Sequence, residues 1–197
     1  MQSPDLVVAI LAAGASRRLG HAKQLVAIDG EPLLRRQCRC ALSAKIGDVV
    51  VILGSNADRH RAVIANLPVE VRVNDEWREG LAATLRCAVD VAASHQAALL
   101  VLPCDLYRIV PEDLRALRDA WRLSPSTPCA TRVGRWAGPP AILPIQYHGH
   151  VLELRGDIGA RSLLAHATAI VNPRAIFDLD SADDLRIAEA WTDRRSA

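Results

Sequence analysis

The chain has 197 residues, half of them hydrophobic, which is enough for one domain with a substantial core. A formal net charge of +2 and only 4 Trp, 2 Tyr and 1 Phe argue against a nucleic-acid surface built on charge and stacking. No run reaches the roughly 18 apolar residues of a membrane span, and MQSPDLVVAILAAG lacks a charged leader before a long apolar core. We therefore expect a single cytoplasmic domain over residues 1–197, without a membrane or nucleic-acid partner.

Short apolar segments alternate with amphipathic segments through the first two thirds of the chain. Nearly continuous apolar runs predict strands covered on both faces, at residues 6–11, 48–53, 69–73 and 97–103. Apolar residues at helical spacing predict helices within residues 31–45, 56–67, 79–95 and 111–123. This alternation predicts a three-layer, Rossmann-like α/β fold with a mostly parallel sheet. A ligand is expected beyond the carboxyl ends of the strands.

The second half of the chain is less regular. Residues 128–134 and 137–144 predict strands interrupted by Gly and Pro, and residues 169–173 and 175–180 predict a late strand pair joined at Asn172-Pro173. Ser181, three residues before Asp184, predicts a capping box at the start of a last helix.

The five cysteines are odd in number and scattered, which favours reduced thiols over a disulfide framework. Cys38 and Cys40 form a C-x-C, but no Cys or His at zinc spacing accompanies them. They are interpreted as buried packing residues.

A loop with two glycines and three cations, LAAGASRRLGHAKQ, follows the first strand at residues 11–24. It matches neither G-x-G-x-x-G nor a P-loop, because Gly14 and Gly20 are six apart and His21 follows Gly20. Backbone N–H groups of residues 13–16, assisted by Arg18 and Lys23, suit a bound triphosphate. The alternative is an ordinary surface loop with solvated arginines.

Two aspartates are candidates for holding a metal ion. Asp105 ends a predicted strand at the ligand edge of the sheet, and Asp157 lies in a turn between Gly156 and Gly159. Their carboxylates are hard oxygen ligands of the kind that Mg²⁺ prefers. The alternative is that Asp105 caps the helix near Pro111 and Asp157 caps the one near Gly159.

The longer string LAAGASRRLGHAKQLVAIDGEPLL resembles the signature of the nucleotidyltransferases that activate molybdopterin. The resemblance continues, in the expected order, through NDEWREGLAATLRCAV, LPCD, LRGDIGARSLL and FDLDSADDL, and so covers nearly the whole chain. It implies a fold of the nucleotide-diphospho-sugar transferase type. Guanylyltransferases of this group typically carry Ala-Gly-Gly at the turn, whereas Ala12, Ala13 and Gly14 resemble the molybdenum cofactor cytidylyltransferases, which implies CTP.

The chain departs from the family pattern in two places. Leu106 and Tyr107 stand where Gln-Pro usually follows the aspartate, and the usual Gly-x-Pro segment reads WAGPPAIL. Both regions are expected to face the acceptor substrate.

The resemblance implies a Mg²⁺-dependent enzyme that transfers CMP from CTP to the terminal phosphate of molybdopterin and releases pyrophosphate. The four catalytic residues that it implies have separate roles: Asp105 and Asp157 hold Mg²⁺, Lys23 stabilises the α-phosphate, and Arg18 holds the pyrophosphate. The nucleotide-binding residues that it implies are Leu11, Ala12, Ala13, Gly14, Ala15, Ser16, Arg18, Lys23, Asn74, Gly80 and Thr84.

Alternatives remain open at this stage. The same fold could transfer GMP or use another small phosphorylated acceptor, or the chain could be a chaperone that delivers the molybdenum cofactor. Transient docking to a molybdoenzyme is expected. Asn74 could be a strand-ending turn residue and Thr84 a solvent-facing helix position. Trp77, Trp121 and Trp191 are expected to be packing residues, while Arg161 either reaches the acceptor phosphate or is an exposed helix arginine.

Overall fold

The computed structural model describes residues 5–196, and side chains as far as Trp191. Nine strands are present in this part of the chain: β1 Leu6–Ala12, β2 Ala27–Ile28, β3 Glu31–Pro32, β4 Asp48–Leu53, β5 Glu70–Val73, β6 Ala98–Pro103, β7 Cys129–Val133, β8 Trp136–Leu143 and β9 Thr168–Val171. The α-helices of the same part are α1 Leu33–Ala44, α2 Ala57–Ile64, α3 Leu81–Ser94, α4 Pro111–Arg122, α5 His148–Leu152 and α6 Ala182–Ser196. Short 3₁₀ turns lie at Lys23–Leu25, Trp77–Glu79, Ile145–Tyr147, Ala160–Leu164 and Pro173–Ile176.

Seven strands form one sheet in the order β5-β4-β1-β6-β8-β7-β9, and β2 and β3 form a separate small hairpin. β8 runs antiparallel to both of its neighbours, and the other pairs of the sheet are parallel. Because β8 is reversed, it begins at the edge of the sheet where β1 and β6 end. That edge therefore receives residues from distant parts of the chain.

The sheet is covered on both faces. Alternate residues of β1 enter two separate hydrophobic clusters: Val8 and Ile10 pack with α1 and α4, whereas Val7 and Ala9 pack with α3. The predicted three-layer, mostly parallel α/β fold is confirmed. No α-helix within residues 5–196 is long and apolar enough to cross a membrane.

The predicted late strand pair is wrong in its second half. β9 pairs in parallel with β7, but Pro173–Ile176 forms a 3₁₀ turn and residues 177–180 are irregular. Asn172 ends the strand, because its side chain accepts a hydrogen bond from the Arg174 N–H at 3.0 Å and starts the turn. Arg174 then binds Asp113 through two nitrogens, at 2.9 and 2.6 Å, and fixes the turn against α4.

The capping box at the last helix is confirmed. Asp184 accepts from the Ser181 backbone N–H at 2.7 Å, and the Asp184 N–H donates to Ser181 Oγ at 3.3 Å. This fixes the point where α6 begins, directly after residues 177–180. Asp178 and Asp180, which lie in that segment, are thereby fixed in place.

Candidate active site

One cavity of about 850 Å³ lies at the carboxyl edge of β1 and β6, where the fold predicts a ligand. It brings together residues that are up to 167 positions apart in the chain, from Leu11 to Asp178. Of the predicted site residues, those that line it are Leu11, Ala12, Ala13, Gly14, Ala15, Ser16, Lys23, Gly80, Thr84, Asp105 and Asp157.

The loop after β1 is organised by Gln24, which sequence reasoning missed. Gln24 is 1% exposed, and its amide donates to the carbonyls of Ala12 and Gly14 at 3.0 and 2.8 Å. The Ala13 carbonyl accepts from the Ser55 N–H at 3.0 Å. In a trans peptide the C=O and the N–H of the following residue point in opposite directions. Because the carbonyls of residues 12–14 are held by these hydrogen bonds, the N–H groups of residues 13–15 point the other way and are free to bind an anion.

Lys23 lies between two carboxylates. Its Nζ is 2.5 Å from Asp105 Oδ2 and 2.8 Å from Asp180 Oδ1. Burial lowers the pKa of Lys23, but the charges and hydrogen bonds of Asp105 and Asp180 more than offset this and raise it above its ordinary value. The side chain is therefore an ammonium ion at neutral pH, and one of its three N–H donors is left over after these two bonds.

Asp178 and Asp180 extend the acidic cluster around Lys23, and sequence reasoning assigned neither of them a role. Asp178 lines the cavity. Loss of hydration raises its pKa, and the negative charge of Asp105 is the next largest cause, followed by smaller contributions from Asp180 and Asp184. A cation entering this part of the cavity would relieve that repulsion.

Asp157 lies against the first turn of α3 rather than at the start of its own 3₁₀ turn. A Cβ at Gly80 would come within 2.5 Å of Asp157 Oδ1 and of the Gly156 carbonyl carbon, and Gly80 has a φ of +128°. The Ala82 N–H donates to the Gly156 carbonyl at 3.0 Å. Gly80 is therefore required for the close packing that holds Asp157 beside the positive end of α3.

Asn74 does not line the cavity, in contrast to the direct contact that the resemblance implies. It is 6% exposed, accepts from the Glu76 N–H at 3.0 Å and donates to Thr84 Oγ1 at 3.2 Å. The first of these bonds is the turn role considered as an alternative. Thr84 is 5% exposed and lines the cavity, so the solvent-facing alternative for Thr84 is wrong. Because its oxygen accepts from Asn74, the Thr84 hydroxyl hydrogen is left to donate elsewhere.

The cationic residues of the loop are placed differently from the prediction. The Arg18 side chain is 84% exposed, is not among the cavity-lining residues and approaches Asp180 at 3.4 Å. Arg17, its neighbour, lines the cavity. Arg161 also lines the cavity but is exposed, so it is accessible to a ligand.

Two tryptophans line the cavity. Trp77, predicted to be a packing residue, is half-buried there with the Arg78 guanidinium 4.5 Å from its ring centre. Trp136 also lines the cavity, and it is the first residue of the WAGPPAIL segment that was expected to face the acceptor. Trp121 and Trp191 pack as predicted: Trp121 is 7% exposed, and the Trp191 ring centre lies 5.9 Å from that of Tyr107.

The alternative capping role for Asp105 is wrong. The α4 helix is capped by Asp113, which accepts from the Val110 N–H at 3.0 Å, whereas Asp105 binds Lys23. Among the side chains that the structure describes, residues 5–191, no group of three or more His, Cys, Asp and Glu could hold a metal ion by itself. All five cysteine thiols are free.

The family follows from the sequence as a whole. Residues 8–171 match the model of the MobA-like NTP transferase domain. The chain belongs to this family. Among curated relatives of this MobA-like chain, a probable molybdenum cofactor guanylyltransferase of Synechococcus elongatus is 33% identical over 128 residues, covering 64% of the chain and 63% of that relative.

Other relatives of the MobA-like chain include a 2-C-methyl-D-erythritol 4-phosphate cytidylyltransferase of Symbiobacterium thermophilum, 30% identical over 116 residues, 55% of the chain and 49% of that protein. Among solved structures, Rv0371c of Mycobacterium tuberculosis H37Rv is 27% identical with a TM-score of 0.80, covering 95% of the chain and 98% of that protein. The matched segments span less than two thirds of either curated relative. Their names include both guanylyl and cytidylyl transfer, so the base differs among proteins that this MobA-like chain resembles.

Proposed function

We propose that this protein is a nucleotidyltransferase that transfers CMP from CTP to the terminal phosphate of molybdopterin and releases pyrophosphate. The observation that supports this best is the convergence, in one cavity, of a loop rich in free N–H groups, the Lys23 ammonium and the Asp105, Asp157 and Asp178 carboxylates. Family membership supports the transfer of a nucleotidyl group. The choice of CTP rests on the resemblance of Ala12, Ala13 and Gly14 to the cytidylyltransferases.

GTP is the second candidate, because the relative from Synechococcus elongatus is named a guanylyltransferase. The donor that Thr84 offers does not discriminate, since both cytosine and guanine present carbonyl acceptors. Trp77, Leu81 and Leu85 also line the cavity, and the shape that they give it is a second source of base selectivity beside the Ala12 to Gly14 turn.

The chemistry requires no strong base in the protein. A phosphate monoester is already ionised near neutral pH, so it can attack the α-phosphorus directly while pyrophosphate departs. The protein holds the triphosphate on the loop N–H groups and aligns the attacking phosphate. It neutralises the growing charge with the remaining N–H of Lys23. Asn74 is a positioning residue in this scheme, since it reaches the cavity only through Thr84.

The donor set fits a Mg²⁺ ion. Mg²⁺ is commonly held by one or two carboxylates together with substrate phosphates and water, which agrees with separate carboxylates rather than a complete protein cage. Asp105 and Asp157 are the proposed ligands, with Asp178 close enough to Asp105 to be affected by its charge. When bound, the ion supplies positive charge to the reacting phosphates.

Pyrophosphate release tests the proposal. The protein is incubated with Mg²⁺, molybdopterin and each of CTP, GTP, ATP and UTP, and initial rates are compared. We expect the highest kcat/KM with CTP. A preference for GTP would make the protein a guanylyltransferase, and no release with any nucleotide would favour the cofactor chaperone and contradict the proposal.

The chain contains two lysines, which provide a matched pair of variants. We expect Lys23→Met to lower kcat about 100-fold or more, because a preorganised donor to the transition state is lost. Lys45→Met makes the same chemical change at an exposed helix end outside the cavity lining and is expected to keep wild-type kcat. Equal rates for the two variants would remove Lys23 from the mechanism.

A further inference from the structure

Trp136 is an unassigned aromatic side chain inside the cavity. It is the first residue of β8 and pairs with Val133 across a turn in which Gly134 has a φ of +57°. Because β8 is antiparallel to β6, this hairpin lies beyond the end of β6, on the side of Asp105 away from β1. Trp136 is half-buried and lines the cavity there.

Gly138 fixes the orientation of the indole. A Cβ at Gly138 would lie 2.4 Å from Trp136 Cζ2, 2.8 Å from Cη2 and 3.0 Å from Cε2. Such similar distances to three adjacent ring atoms are expected for an atom above the ring face rather than at its edge. The Gly138 backbone therefore packs against one face of the indole. A side chain at this position, which is the glycine of WAGPPAIL, would displace the ring.

Apolar side chains line the cavity together with Trp136. Pro139, Ala175 and Ile176 line it, and Ile176 is 51% exposed. The turn that carries Ile176 is held by the two-nitrogen contact of Arg174 with the buried Asp113. An exposed Ile and a half-buried indole in the lining of one cavity indicate a surface that a ligand covers.

The order of the strands indicates which ligand this is. The triphosphate loop follows β1, Asp105 ends β6, and Trp136 begins β8, the next strand in the sheet. If the reacting phosphates meet at Asp105 and Lys23, the nucleotide extends over β1 and α3, and the body of the acceptor extends over β8.

We propose that Trp136 is the platform on which the flat, pyrimidine-containing end of a phosphomonoester acceptor's ring system stacks, with Ile176 also in the cavity lining. This inference rests on the proposed function for the phosphate end of the acceptor. Stacking on an indole selects flat ligands without specific hydrogen bonds, so it sets acceptor class rather than nucleotide choice.

Kinetics with molybdopterin give the first test. We expect Trp136→Leu, which keeps an apolar side chain but removes the ring, to raise KM for molybdopterin about tenfold. KM for CTP is expected to stay unchanged, and Trp136→Phe should restore most of the acceptor affinity. An unchanged KM for molybdopterin in Trp136→Leu, or an equal rise in both KM values, would overturn the proposal.

Binding without turnover gives a second test that does not depend on the nucleotidyl transfer. In the wild type, 6-hydroxymethylpterin monophosphate should quench tryptophan emission and bind about tenfold or more tightly than glycerol 3-phosphate, measured by competition. Trp136→Leu should remove that difference, whereas Trp121→Phe, outside the cavity lining, should keep both the quenching and the difference. Equal affinity of the wild type for the two phosphates would overturn the platform. If pyrophosphate release fails with every nucleotide, the proposed function fails and this binding result still decides the role of Trp136.

Discussion

Gln24 shows how a neutral side chain can prepare a site for an anion. It lies directly after Lys23 and is buried, and both N–H donors of its amide are used by backbone carbonyls, so it has no donor left for a phosphate. Its two donors hold the carbonyls of Ala12 and Gly14, and its carbonyl lies 3.3 Å from Ser16 Oγ, which donates to it. Adjacent residues of one 3₁₀ turn therefore have separate roles: Lys23 supplies the positive charge of the site, and Gln24 holds the loop in its conformation.

We expect Gln24→Glu to weaken nucleotide binding and to destabilise the protein. A carboxylate would face two carbonyl oxygens with no hydrogen to donate, which costs about 1–3 kcal/mol for a buried group and releases the loop. KM for the nucleotide should rise, and the urea midpoint should fall. Gln146→Glu also removes a donor to a carbonyl, that of Ser126, but on the exposed surface, and is expected to change neither quantity. Equal effects of the two substitutions would contradict the role given to Gln24.

At the scale of elements, the turn at residues 156–157 and the start of α3 behave as one unit. Their contact is made by the Ala82 to Gly156 hydrogen bond and by the absence of a side chain at Gly80. Gly80 was predicted only as a nucleotide-binding residue. It does line the cavity, and the structure adds Asp157 as a close neighbour.

Gly80→Ala is expected to reduce both stability and kcat. The new Cβ would overlap Asp157 Oδ1 and the Gly156 backbone, and a φ of +128° is strained for alanine, together about 1–3 kcal/mol or more. Separation of the two elements would displace Asp157 from the cavity. Gly149→Ala in α5 meets nothing within 4 Å and should keep wild-type stability or exceed it, since alanine favours a helix. Urea unfolding and pyrophosphate release measure the two effects, and unchanged stability of Gly80→Ala would refute the close contact.

The elements that were predicted correctly have strong local patterns, and the others depend on tertiary contacts. Buried parallel strands such as β1 and β6 are continuously apolar, so their positions are visible in the sequence. In residues 175–180 buried side chains also alternate with side chains that are not buried, as in a strand, since Leu179 is buried while Asp178 lines the cavity. They are not a strand, because the backbone turns away from β7 at Asn172 and no ladder partner remains.

The same reason explains the site residues that were missed. Asp180 contacts Lys23, and Asp178 lines the cavity, only because α6 and the turn at Pro173–Ile176 fix the segment between them. Nothing in FDLDSADDL indicates which of its four aspartates faces the cavity. WAGPPAIL was expected to face the acceptor, but Trp136 was not singled out, because its position in the cavity depends on the reversal of β8, which periodicity does not reveal.

For the whole molecule, two buried histidines are expected to set the response to acid. His60 in α2 and His148 in α5 are 1% and 6% exposed, and their ring nitrogens have no hydrogen-bond partner among the described residues. Burial lowers the pKa of both, and for His60 the nearby charge of Arg59 lowers it further. Neither residue lines the cavity, so their effect is on stability rather than on the site.

Acidification should therefore destabilise the protein below about pH 6.5, the ordinary histidine pKa that applies to the unfolded chain. In that range the unfolded state binds more protons than the folded state. The free energy of unfolding therefore decreases as the pH falls toward the lowered pKa that the histidines have in the folded state. Asp178 acts in the opposite direction, since its raised pKa makes the folded state bind a proton first and lose stability as pH rises. The wild type should show a lower urea midpoint at pH 5.5 than at pH 7.5.

A double variant, His60→Leu with His148→Leu, isolates the histidines because Asp178 is unchanged in it. Its urea midpoint should vary less between the two pH values than that of the wild type, since no buried imidazole remains to resist protonation. His166→Gln removes an exposed histidine and should keep the wild-type dependence. If the double variant loses as much stability at pH 5.5 as the wild type, the acid sensitivity does not arise from these two histidines. Asp184 does not replace them, because hydrogen bonds from Ser181 lower its pKa and its effect on stability begins only below the ordinary Asp pKa of about 3.9.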